Sequence, residues 1–144
     1  MAITQTMCTS FKVALLDGEM DFSSNTSQTF KIALFTSSAD LDADTVAYAS
    51  TNEASGTGYT AGGETLTIST NPTSTDTTAF LTFATASWAN SSITARGALI
   101  YRSSGSGNNA ITVLDFGADK TTLGNTFTVT FPTADNNTAI IRIA

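Results

Sequence analysis

Histidine is absent from the 144-residue chain. That removes the commonest general base and the commonest metal ligand together. The single cysteine, Cys8, cannot form an internal disulfide or build a Cys-rich zinc site. As a nucleophile it would lack a histidine to activate it, so it reads as a small apolar residue near the N-terminus. Charge is also scarce: 12% of residues are charged, against about 25% in typical domains. The six cations (Lys12, Lys31, Arg96, Arg102, Lys120 and Arg142) are scattered among twelve acids, for a net charge of -6. Neutralising nucleic-acid phosphates needs clustered Lys and Arg, so no nucleic-acid partner is expected. No apolar run approaches the roughly 20 residues that span a bilayer, so no membrane role is expected. The opening MAITQTMCTS lacks the basic residues and apolar stretch of a signal peptide, which predicts synthesis in a cytoplasm.

Serine and threonine fill the space that charge leaves. Threonine is β-branched and polar, which suits the solvated side of a sheet. At 41% hydrophobic the chain is too apolar for disorder and long enough for one domain, 1–144, around a single core. Residues 9–17 (TSFKVALLD) predict one short helix, capped by Thr9 or Ser10 and stopped at Gly18. Residues 1–10 are expected to form a flexible arm. TFKIALFT predicts a strand with Phe30, Ile32 and Leu34 on its apolar face.

Residues 37–63 form a long polar connection, with a short helical turn expected around 40–49. A loop of that length is usually functional or ordered by a partner. Further strands are expected at 64–70, 79–88, 91–103, 110–117, 126–132 and 138–144. NPTSTDTT and ADKTTLGN stand between them as turns, and SGSGNN is a hairpin tip. Strands at this spacing predict an all-β fold with one short helix: an antiparallel β-sandwich, jelly-roll-like, or a barrel. The expected core is Phe30, Ile32, Leu34, Leu66, Ile68, Leu99, Val113, Phe127, Val129, Phe131, Ile141 and Ile143.

Two stretches invite a catalytic reading. Asp115-Phe116-Gly117 matches the magnesium-holding triplet of protein kinases, and GTGYTAGG (56–63) resembles a phosphate loop. The kinase catalytic loop begins with histidine, which is missing here. In the glycine stretch Ala61 stands where the third glycine belongs, and no lysine follows until Lys120. The alternative is structural: Asp115 pairs with Arg96 or Arg102 across a hairpin, and Gly117 begins a turn. Asp40, Asp42 and Asp44 suggest calcium, but Thr45 and Thr51 occupy the positions where an EF-hand needs glycine and glutamate. No two of the twelve acids stand out as a glycosidase pair. Tyr59 and Trp88 are candidate interface aromatics, for a sugar or another subunit. No catalytic, cofactor or metal site is expected, and the chain is not expected to be an enzyme.

The segments FKIALFTSSADL, GTGYTAGG, W-x4-ITARGALIY, AITVLDFGADKTT and FTVTFPTAD…AIIRIA follow one another across nearly the whole chain. In this order they resemble a family of small structural proteins of tailed bacteriophages, several of them cyanobacterial phages. The resemblance implies a virion component, most nearly a capsid cement or decoration protein. Such a protein would be a trimer on the outside of the shell, made in the host cytoplasm, with the major capsid protein or other virion proteins as partners. It implies no catalytic residue and no cofactor. A tail, neck or fibre-associated β-domain is the alternative within the virion, and a carbohydrate-binding module using Trp88 and Tyr59 is the alternative outside it.

Overall fold

The computed structural model describes residues 2–104 and 107–144. Gly105 and Ser106, in the expected SGSGNN tip, lie outside the described residues. The fold is all-β, with antiparallel sheets and one short helix. The elements are β1 (Thr6–Met7), α1 (Thr9–Leu16), β2 (Phe30–Phe35), β3 (Glu64–Leu66), β4 (Ile68–Thr75), β5 (Thr78–Phe83), β6 (Ala86–Ser91), β7 (Thr94–Arg102), β8 (Ala110–Thr121), β9 (Asn125–Val129) and β10 (Ile141–Ile143).

A five-stranded sheet has the order β1-β8-β7-β2-β3, a three-stranded sheet the order β10-β5-β4, and β6 pairs with β9. β1 and β3 end the large sheet, so it does not close into a barrel. The layers meet through aromatics. Phe30 of β2 lies 6.3 Å from Phe83 of β5, and Phe22 stacks on Phe30 at 4.7 Å. The small β6–β9 sheet carries the β7–β8 ladder around a corner. Thr94 pairs with Thr121 on one side of the bend and Ser91 with Asn125 on the other. Ser91 is fully buried there, and its Oγ shares a hydrogen bond with Thr122 Oγ1.

The helix ends as its glycine predicts. Gly18 has φ +74°, its amide donates to Leu15 O, and the Glu19 amide donates to Ala14 O. This pattern satisfies the last free carbonyls. At the other end the N-cap is Cys8, with no side-chain cap bond, and Thr9 is already helical. Cys8 takes that place because its own amide is committed to Ile111 O of β8. The expected flexible arm is likewise pinned. Ile3 bridges Leu41, β1 pairs with β8, and Ile3 and Cys8 are buried.

Several strand bounds differ from expectation. β2 buries Ile32, Ala33, Leu34 and Phe35, both faces rather than one. ETLTIST divides at Thr67 into β3 and β4, and 79–88 divides between β5 and β6. NPTST is strand, not turn: β4 runs to Thr75 and the reversal is only Asp76-Thr77. Asp76 supplies the positive φ, +54°, that the tight reversal needs. β8 runs on through Gly117 to Thr121, into the stretch expected to turn. No helical turn forms at 40–49. Of the expected core, Ile68 and Phe131 are only half-buried, and Ile143 is 53% exposed at the edge of the small sheet.

Candidate functional site

The chemistry-bearing side chains gather at two places, and at each they hold backbone. The first is the 37–63 connection, which is ordered by its own chain. Glu53 pairs with Phe35, Ala54 N donates to Leu34 O, and Thr57 bridges Ser92. All three tyrosines of the chain converge on this segment. Tyr48 Oη donates to Glu53 Oε2 over 2.7 Å, and Tyr59 Oη donates to Glu53 Oε1 over 2.6 Å. Gly62 N donates to the same Oε1 at 2.8 Å, and Tyr101 Oη donates to Gly62 O at 2.7 Å. Tyr48 also stacks on Tyr101 with centroids 4.6 Å apart.

Burial, then donation to Glu53, holds the Tyr48 and Tyr59 phenols well above the usual phenol range. Burial and then the Glu53 charge raise Tyr101. A carboxylate that receives three donors in this way anchors a loop and has no oxygen without a bond. Glu53 was invisible in the sequence, where it is one acid in a polar stretch. A glycine-rich run with Tyr59 inside it and Tyr48 ahead of it was the available signal.

The same geometry explains GTGYTAGG. Gly63 has φ +76°, and a Cβ there would come within 1.8 Å of Ile32 O. At Gly56 a Cβ would meet Ser92 O at 2.1 Å. These glycines let the chain lie against β2 and against the β6–β7 junction, where any side chain would collide. The run is a close-approach segment and lies between a bridge and a strand, not between a strand and a helix.

The second place is Asp115-Phe116-Gly117. Asp115 pairs with Gly97 across the β7–β8 ladder, yet Lys120 pairs with Ala95, so 116–119 bulge outward opposite Arg96. Asp115 Oδ1 accepts the Gly117 amide at 2.9 Å and Arg96 Nε at 3.1 Å. The Gly117 bond first, and Arg96 second, hold the Asp115 carboxyl below the usual carboxylate range. Arg102, the other expected partner, instead donates to Glu19 O at 2.6 Å and Asn109 Oδ1 at 2.7 Å, tying the helix exit to the hairpin.

Trp88 is 2% exposed, so its ring has no face free for a sugar or a second subunit. It packs against Phe127 edge-on, and Tyr59 lies 6.0 Å away, half-buried with its hydroxyl engaged. For Trp88 the expectation of an interface aromatic is therefore corrected: the indole is buried beside Phe127 and Tyr59. In the acidic loop, Asp42 Oδ1 accepts the Asp44 amide at 2.8 Å and Asp40 Oδ1 accepts the Ala2 amide at 3.4 Å. Among the described residues no group of three or more acids or cysteines is placed to hold a metal ion. Burial, then the nearby Asp42 charge, pushes the Cys8 thiol up to about 11.

A groove of about 610 Å³ lies along the acidic loop beside Phe35, and further open grooves lie elsewhere on the surface. One, of about 490 Å³, runs between β8 and β9 past Lys120 and Phe131. Another, of about 540 Å³, lies between α1 and the three-stranded sheet and is lined by Phe11, Phe80 and Ile141. No protein family, curated protein or solved structure matches the chain.

Proposed function

We propose that the chain is a structural component of a tailed-bacteriophage virion, placed as a cement or decoration protein outside the capsid and acting through protein–protein contacts. The observation that carries this reading is the ordered set of segments from FKIALFTSSADL to AIIRIA, which covers nearly the whole chain. The geometry supports it from another direction. The side chains that suggested chemistry in the sequence, Asp115, Tyr59 and Trp88, are each engaged within the fold, Asp115 and Tyr59 by hydrogen bonds and Trp88 by burial. A β-surface with few charged residues suits many weak protein–protein contacts, because charge is depleted at the core of such interfaces. The carbohydrate-binding alternative loses its main stacking residue with the burial of Trp88.

The test is the copy number of the chain in purified particles, with its position marked by an electron-dense label. Copies in step with the number of capsid positions, and label on the shell, are expected. A handful of copies with label at the tail or neck would move the protein to that part of the virion. Particles without the chain would end the virion reading.

A further inference from the structure

β-Sheet edges that are not meant to pair are usually short, bulged, charged or blocked by proline. Five edges here are protected in one of these ways or by cover. β1, β3 and β10 are two or three residues long. β4 carries Pro72 and two register shifts. The outer side of β6 is met by the Gly56–Gly58 stretch, which bridges Ser92 through Thr57.

β9 is the exception. Among the described residues it pairs only with β6, and no charge lies between Lys120 and Asp135. Its apolar and threonine residues alternate, with Phe127 and Val129 buried and Thr126 and Thr128 exposed. The Asn125 carbonyl accepts Ser91 Oγ at 3.0 Å and so faces β6. By two-residue alternation, Thr126 and Thr128 turn their amides and carbonyls the other way. Both line the groove of about 490 Å³, together with apolar Leu114, Phe116, Phe131 and Ile140.

We propose that this edge accepts an extended segment projecting from a different protein, which adds a strand to β9 and lays alternate apolar side chains into the groove. Charge narrows the occupant. Two ionisable side chains line the groove: Asp115, paired with Arg96, and Lys120, which makes no ion pair among the described residues. The segment therefore carries a carboxylate within reach of Lys120, in a chain whose net charge of -6 otherwise repels acids. The inference stands on the edge alone and does not depend on the virion reading.

The probe is a fluorescein-labelled peptide of about eight residues, Glu followed by alternating Thr and Val, offered to the full chain. Saturable binding is expected by anisotropy, with slowed deuterium exchange at the Thr126 and Thr128 amides. A control peptide with prolines at alternate positions, and the exposed-site variant Lys120→Glu, should each weaken binding by roughly tenfold or more. No saturation at about 1 mM peptide overturns the proposal. So does protection confined to β10 or β4. Protection of Thr126 and Thr128 that rises with protein concentration in the absence of peptide also overturns it, because the occupant is then a second copy.

Discussion

Tyr59 donates its phenol hydrogen to Glu53 Oε1 over 2.6 Å, while its oxygen accepts the Leu34 amide at 2.9 Å. One side chain thus links the interior strand β2 to the loop that covers its end beyond β3. Tyr59→Phe removes both bonds and leaves the Leu34 amide without its acceptor. The expected cost is roughly 1–3 kcal/mol, read as a lower denaturation midpoint with unchanged slope. An unchanged midpoint would show that the loop is held by other contacts.

The tyrosine cluster sets the alkaline limit. The Tyr48 and Tyr59 phenols are raised above their unfolded value, about 10. Their contribution is therefore complete below about pH 10 and lost as pH rises through the folded values. Tyrosinate absorbance should rise together with the loss of near-ultraviolet dichroism. Two tyrosines ionising near pH 10 in a folded protein would contradict this.

Asp115 works in the opposite direction. Its folded value lies below the unfolded one, about 4, because the Gly117 amide and then Arg96 bind the carboxylate. Its contribution is present above about pH 4 and lost as pH falls through the folded value. Asp115→Asn should lower stability at neutral pH and flatten its decline in acid. Parallel stability curves for variant and parent across the acid range would sink this account.

Two glycines with similar dihedral angles should behave differently. Gly18 and Gly63 have φ +74° and +76°, but a Cβ on Gly18 meets nothing within 4 Å, whereas one on Gly63 runs into Ile32 O. Gly18→Ala should cost about 1–2 kcal/mol, the conformational term alone. Gly63→Ala should cost clearly more, because backbone must move, and thermal denaturation of the two variants gives the comparison.

Core and edge separate in the same way along the chain. Phe127 is 5% exposed against Trp88, so Phe127→Ala should cost roughly 3–5 kcal/mol. Ile143 is 53% exposed, and Ile143→Ala should stay within about 0.5 kcal/mol in chemical denaturation. Equal losses at both sites would mean that the C-terminal strand is more deeply packed than it is here.

Much of this was legible in the residues. The helix stop at Gly18, the strands in FKIALF, TARGALIYR and AITVLDF, and the all-β class follow from local periodicity and punctuation. Trp88 and Glu53 were not legible, because neither burial nor a hydrogen-bond partner has a local signature. An isolated tryptophan reads alike on a surface and in a corner. Glu53 acquires its role only when Tyr48, Tyr59 and Gly62 are folded around it.

The sequence by itself determined the kind of element at each apolar run, since alternation and turn residues act within a few positions along the chain. It also ruled out histidine chemistry outright. Only the tertiary structure decided that β8 runs through Gly117, that NPTST is an edge strand and that the 37–63 connection seals β2. Those outcomes depend on what lies opposite. A glycine becomes a bulge rather than a turn when β7 continues beside it, and a polar loop becomes a wall when a sheet edge offers it amides.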